Sequence, residues 1–344
     1  MTPREAYDQL ARTPGVTPLK VARWLRDEFD SVESLAQKKA KPTGPSPLQP
    51  FLTPACARYP QLLRELGDPP LRLFTQGRSL ELMSPHRVAI VGSRQASRYG
   101  LDWARCLGGA LARQGITVCS GLAAGIDTAA HQGALQAGIS FSGIGIPVAV
   151  LGHGYDHVYP ESNRSLRTYL EEHGCVVSEY PPDHPPSRWT FPERNRIIAG
   201  MCQTVVVVEA GARSGSLHTA RFANEAGRDV WIVPNRPGTP NSGGVLALLK
   251  DGARPMFDID EFVSELVEEL RWTHPVEPPP VPDHLRELLR AVACEPAVSP
   301  SELCRTLSWP ALKVSSGLTE LELLGVVGRR LNGEWELALP YSGT

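Results

Sequence analysis

Between positions 88 and 233, short apolar runs alternate with stretches whose apolar residues recur at helical spacing. The runs are Val88–Val91, Ile116–Ser120, Pro147–Leu151, Cys175–Tyr180, Thr204–Glu209 and Asp229–Val233. Short β-branched runs of this kind fit strands buried on both faces. The stretches between them predict helices. Tyr99–Gln114 places Leu101, Ala104, Leu107, Ala110 and Leu111 near one face. Further helices are expected from the glycine-rich loop Gly121–Gly125 through Leu135, and at Asn163–His173, Leu217–Ala226, Gly244–Lys250 and the acidic Asp258–Leu270. This alternation predicts an α/β domain, a mostly parallel sheet with helices on both faces.

The flanks are patterned differently. Residues 1–40 read as a small helical domain of the SAM or helix–hairpin–helix kind, with Val21–Phe29 at helical spacing. Pro14-Gly15-Val16-Thr17 is either a plain helical turn or the hairpin of such an element. Proline-rich residues 41–54 predict a linker, and 55–272 the main domain, into which Pro60–Gly77 leads. A second proline-rich stretch, 273–283, predicts a stiff linker. Residues 284–344 read as a winged helix. The signs are Leu285–Ala293 as its first helix, a capping box from Ser299 to Glu302, Ala311–Leu324 as a recognition-type helix, and a two-residue hairpin turn at Asn332-Gly333.

Composition narrows the function. The chain has 344 residues, 42% apolar and 21% charged, and a formal net charge of −2. No global positive field marks a nucleic-acid binder, so any such site is a local basic patch. The seven cysteines include no CxxC pair, and Cys119 and Cys175 fall in strand-like runs, as core thiols in a reducing compartment would. No apolar run approaches the roughly 20 residues of a membrane span. The expectation is a cytoplasmic protein.

Candidate chemistry lies at the strand ends, where open α/β sheets bind ligands. Gly92-Ser93-Arg94 stands where a Rossmann domain carries GxGxxG, and that fingerprint is absent. The turn's N–H groups still suit an anion, and Arg94 either adds charge or pairs with a carboxylate. Ser120, Gly121 and Gly125 belong to a second such turn, with Asp127 as a helix-start residue. His131 lies at a metal-pair spacing from Asp127, but no third ligand accompanies them. A third turn runs through Tyr155 and Tyr159 to Asn163 and Arg164; its tyrosines either stack on a flat ligand or pack the loop. Pro181–Phe191 gathers Arg188, Trp189 and Phe191, either the stacking platform of a single-strand binder or anchors of a rigid loop. Arg213-Ser214-Gly215-Ser216 opens a helix, with Ser214 or Ser216 as cap and free N–H groups for phosphate. Neither GxxxxGK[ST] nor a nucleophile–His–acid spacing occurs. Glu179 and Glu209 end strands, as an acid/base pair or as partners of backbone and arginines.

Seven motifs occur in one order across about Arg87–Arg254: strand-GSR, SGLAAGIDTAAH, LGHGYDHVYPESN, SEYPP, FPERNRIIAG, VVEAGARSGSLHTA and GRDVWIVP. Together they resemble the DNA processing protein A (DprA/Smf) family. The resemblance implies a Rossmann-like fold and a non-enzymatic protein without cofactor. It implies single-stranded DNA and RecA as partners, with RecA loaded on incoming DNA during natural transformation, and a homodimer. The implied DNA-contacting residues are Gly92, Ser93 and Arg94, then Phe191, Arg194, Asn195 and Arg196, then Arg213, Ser214, Gly215 and Ser216. Arg194 and Arg196 are expected to grip phosphates and Phe191 to meet a base. Two departures from the family pattern stand out: Asn235 follows Pro234, and Gly243-Gly244-Val245-Leu246 replaces a segment that carries an asparagine. The alternative is a nucleotide phosphoribohydrolase resembling the LOG family, using Glu179 or Glu209. Its PGGxGTxxE loop is missing, and AGARSGSLHTA stands in its place.

Overall fold

The computed structural model describes residues 1–44, 46, 50–80, 83–84, 86–138, 145–273, 281–293, 298–324, 326–329 and 333–337. The chain opens with α1 (Pro3–Ala11), α2 (Pro18–Asp27) and α3 (Val32–Lys39), each started by a hydroxyl cap: Thr2, Thr17 and Ser31. Ala6, Leu10, Val21 and Leu35 form their core, and Leu71 completes it from outside. A buried ion pair, Arg72 to Asp8 at 3.2 Å, fixes this unit to the sheet edge.

The sheet and its helices follow as β1 (Phe51–Leu52), α4 (Gln61–Arg64), β2 (Leu73–Gly77), β3 (Arg87–Val91), α5 (Arg98–Arg113), β4 (Thr117–Ser120), α6 (Ile126–Gly138), β5 (Val148–Leu151), α7 (Arg164–His173), β6 (Cys175–Ser178), α8 (Thr190–Gly200), β7 (Thr204–Val207), α9 (Ser216–Glu225), β8 (Asp229–Ile232), α10 (Gly243–Lys250), β9 (Arg254–Pro255) and α11 (Ile259–Thr273). The nine strands lie in the order β1-β2-β6-β5-β4-β3-β7-β8-β9. Pairings from β6 to β9 are parallel; β2 joins β6 and β1 joins β2 antiparallel. Part of the expected linker and lead-in therefore extends the sheet. The antiparallel edge follows no helical crossover, so strand–helix alternation does not announce it.

Strand side chains alternate between two cores, as the pleat requires. Ala89, Val91, Val205 and Val207 pack with Ile197 of α8 and Ala220 of α9. Val88, Ile90, Val206 and Val208 pack on the other face with Leu107 of α5, Ile126 of α6 and Phe262 of α11. From β3 the chain moves one way to β4, β5 and β6, and returns on the other side as β7 and β8. That reversal opens a crevice at the carboxyl ends of β3 and β7, the place where such sheets bind ligands.

The last described elements are α12 (Asp283–Ala293), α13 (Pro300–Leu307), α14 (Ala311–Leu323), β10 (Val327–Arg329) and β11 (Trp335–Leu337). Leu288, Leu303, Leu318, Leu321 and Trp335 share a core there. The capping box forms, with Ser299 N–H donating to Glu302 at 2.9 Å. The strands expected to flank the hairpin turn pair antiparallel, Arg329 opposite Trp335. Asn332 and residues 274–280 of the second linker lie outside the described residues. Among the described residues no helix is long and apolar enough to cross a membrane, and no group of three or more His, Cys, Asp or Glu could hold a metal ion.

Candidate nucleic-acid interface

The turn after β3 is fixed from behind. A Cβ at Gly92 would stand 2.6 Å from Ile126 Cγ1 and 2.9 Å from the Glu209 carbonyl, so only glycine fits. Ser93 N–H donates to the Glu209 carbonyl at 2.7 Å, and the Ser93 hydroxyl accepts from Gln95 N–H at 3.1 Å. These bonds turn Arg94 outward. Its guanidinium is exposed and lies 5.2 Å from the centre of the Phe191 ring. Among the described residues no carboxylate pairs with Arg94.

The turn after β4 is closed by the protein itself. Asp127, in the first turn of α6, accepts from Gly121 N–H at 3.1 Å and Ala123 N–H at 3.3 Å. Arg194 donates to the Gly121 carbonyl at 2.7 Å and to the Val150 carbonyl. Gly125, at φ +84°, brings this turn against the first, where Ile126 N–H meets the Ser93 carbonyl at 3.2 Å. Ser120 donates to the Ile90 carbonyl at 2.6 Å. The N–H groups expected to face an anion are thus engaged by Asp127. Burial raises the Asp127 pKa and Arg194 opposes that rise; burial brings Arg194 down to about 10 against the pull of Asp127. Both charges answer each other inside the fold.

The loop expected over Pro181–Phe191 ends earlier, and residues 190–200 form a helix, α8. Pro192 falls in its first turn, where a missing N–H does no harm. The helix distributes its side chains by face. Arg194 and Arg196 point inward and are buried. Arg196 holds both Glu179 carboxylate oxygens at 2.6 Å and reaches Asp68 at 3.3 Å. Burial alone would lower the Arg196 pKa, and Glu179 with Asp68 more than reverses this. Arg196 is thus held inside the fold by carboxylates and a carbonyl, whereas Arg194 gives Nη1 to two carbonyls and Nε to Asn195 and still reaches the cavity of the crevice. Phe191 is half-buried, with Arg94 on its face and the Tyr159 ring at 5.1 Å. Asn195 donates to the Gly215 carbonyl at 3.2 Å, tying α8 to the loop after β7.

A cavity of about 760 Å³ occupies the crevice. It brings together Gly92, Ser93, Arg94, Phe191, Asn195 and the loop Ser214-Gly215-Ser216, with one edge of Arg194 behind. Ser120, Gly121, Gly125, Asn163, Arg164, Arg196 and Arg213 are not in its wall. Asn163 is a buried staple, donating to the Leu122 carbonyl at 2.9 Å and to Thr128 at 2.8 Å. Arg164 forms an exposed pair with Glu161 at 2.6 Å. Arg213 is exposed one residue before Ser214. Neither Ser214 nor Ser216 caps α9 through its side chain; their hydroxyls bond each other at 2.8 Å, and Gly215 is the cap. The wall also includes Gln95, Ser187 and Arg188, and Arg188 lies 4.5 Å over the ring of Trp189, which is 66% exposed. Gln95 and Ser187 carried no motif in the sequence, and only the fold places them here. Neither Glu179 nor Glu209 lines this cavity. Glu209 instead accepts from Ser97 N–H at 2.9 Å and Asn241 at 3.1 Å.

Comparison with known proteins agrees with this fold. A family model described as DNA recombination-mediator protein A matches residues 50–267. Protein Smf of Escherichia coli is 40% identical over 327 residues, covering 90% of this chain and 82% of that protein. DNA processing protein DprA of Streptococcus pneumoniae is 43% identical over 196 residues, 57% of this chain and 67% of that protein. The X-ray structure of DprA from Streptococcus pneumoniae matches with a TM-score of 0.63 at 32% identity, over 77% of this chain and 98% of that one. DNA processing protein A from Helicobacter pylori, whose single-stranded DNA binding mode has been described structurally, matches with a TM-score of 0.57 at 28% identity, over 64% and 98% of the two chains.

Proposed function

The chain belongs to the DNA recombination-mediator protein A family, and from that premise we propose that its crevice holds single-stranded DNA. The observation that carries this reading is the Arg94 guanidinium lying free over the Phe191 ring at the mouth of the cavity. An uncommitted cation beside an aromatic face answers both parts of a nucleotide, phosphate and base. Arg188, in the same wall, repeats the pairing over Trp189, and Arg213 adds charge beside the Ser214 loop. Arg194 and Arg196 hold the scaffold that presents them.

On this reading the protein is a non-enzymatic mediator that protects incoming single strands and loads RecA on them in the cytoplasm during natural transformation, as a homodimer. Residues 1–40, 55–272 and 284–344 are its domains. Electrophoretic or anisotropy titration of single and double strands at two salt concentrations tests the central claim. Single strand should bind better than duplex, and log affinity should fall with log salt at a slope between about −2 and −3, as for three to four neutralised phosphates. Salt-independent affinity or a preference for duplex would overturn it. Sedimentation at micromolar concentration tests the dimer, and strand exchange with and without the protein tests RecA loading.

A further inference from the structure

A second cavity, of about 540 Å³, adjoins the first and shares Gln95 with it. Tyr99, at the start of α5, forms one wall; Pro234, Arg236 and Pro240, between β8 and α10, form the other. Glu209 lies in its floor. Glu209 is buried and its oxygens are satisfied by neutral donors: it accepts from the Ser97 N–H and hydroxyl, from Asn241 at 3.1 Å and from Asn235 at 3.3 Å. The positive charge of this cavity comes from Arg236.

Asn235, Thr239 and Tyr99 also have their polar atoms engaged within the protein. Asn235 Oδ1 accepts from Arg236 N–H at 2.8 Å, Thr239 donates to the Arg236 carbonyl at 2.8 Å, and Tyr99 donates to the Pro234 carbonyl at 3.1 Å. What remains for a ligand is flat surface: prolines and a tyrosine ring 44% exposed, backed by Trp103 at 6.1 Å. Such a surface grips a planar group by its face. Arg236 stands exposed at the mouth, and among the described residues no carboxylate pairs with it. Tyr99 with Arg236 thus repeats the chemistry of Phe191 with Arg94, one cavity further along.

We propose that the second cavity is a further nucleotide subsite of the same groove. A base stacks on Tyr99 between the prolines, its phosphate meets Arg236, and the strand passes Gln95 on the way from the first cavity. The departure at Asn235 helps to shape this cavity, because its side chain donates to Glu209 and accepts from the Arg236 backbone N–H. This rests on the reading of the first cavity as a single-strand site.

The test titrates the full chain and its Arg94→Ala, Tyr99→Ala, Tyr99→Phe and Arg236→Ala variants with oligodeoxynucleotides of increasing length. A 2-aminopurine at successive positions reports stacking. Tyr99→Ala and Arg236→Ala should each weaken long strands about tenfold and spare the shortest ones that bind, and Arg236→Ala should lower the salt slope by about 0.7. Tyr99→Phe keeps the ring and should keep the affinity, which a merely structural hydroxyl bond to Pro234 would not allow. At one position 2-aminopurine quenching should vanish in Tyr99→Ala alone. Long strands held equally by wild type, Tyr99→Ala and Arg236→Ala, with Arg94→Ala weakened, would overturn the second subsite and leave the first standing. No single-strand binding by the wild type would overturn both.

Discussion

The turns after β3 and β4 are neighbours in the sheet, both begin with glycine, both lead into a helix, and each has an arginine beside it. One is open and the other closed. After β4, Asp127 takes the turn's N–H groups and Arg194 takes its carbonyl. After β3, Ser93 is tied to the Glu209 carbonyl while Arg94 remains uncommitted above Phe191. The lesson is that an arginine beside a glycine turn is a ligand contact only where the protein has not already satisfied it. The closed turn is held by its own side chains, and the open turn, bonded to its back, leaves a cation at the cavity.

The difference can be broken most severely from the closed side. Arg194→Ala should cost about 3–5 kcal/mol, since it leaves Asp127 charged and buried and strands the Gly121 and Val150 carbonyls. A urea midpoint that does not move would show the closure to be dispensable.

Next in size is the pH dependence of the closed side. His131, on α6 one turn beyond Asp127, is fully buried, and burial brings its pKa down from 6.5 to about 4. It is neutral in the fold and takes a proton on unfolding once pH drops below 6.5. Its contribution is therefore intact above pH 6.5 and lost as pH falls towards 4, about 3 kcal/mol in all. His131→Phe should flatten the acid limb of a stability profile over that window; an unchanged limb would place the titration elsewhere.

On the open side the expected effect is on binding. Arg94→Ala should weaken single-strand affinity about tenfold for all sequences alike and leave the unfolding midpoint in place. A lost fold with unaltered binding would reverse the assignment of the two turns. Smallest of all, Arg164→Ala breaks only an exposed pair with Glu161 and should change neither midpoint nor affinity; a measurable loss of binding would enlarge the site beyond the crevice.

The chain carries much of this in its pattern. Apolar runs at 88–91 and 205–208 and helical spacing at 99–114 dictate a parallel sheet with helices on both faces, because each element must bury its own apolar surface. The absence of GxGxxG and GxxxxGK[ST] and the grouping of arginine with aromatics indicate the kind of ligand. Less legible was α8, where prolines before Phe191 suggested a continuing loop and the helix instead begins at Thr190. The antiparallel pairing of β2 with β6 also depended on a partner far along the chain.

Sequence alone thus determined the architecture and the stock of cations and aromatic rings. Only the tertiary structure decided which cations are free. Arg94, Arg194 and Arg196 are the same side chain in similar motifs, and local spacing cannot tell them apart. Their fates depend on carboxylates and carbonyls brought from distant positions: Asp127, Val150 and Gly121 for Arg194, Glu179 and Asp68 for Arg196, and none of these for Arg94. Hydrophobic periodicity is a local property of the chain, whereas the satisfaction of a charge is a property of everything folded around it.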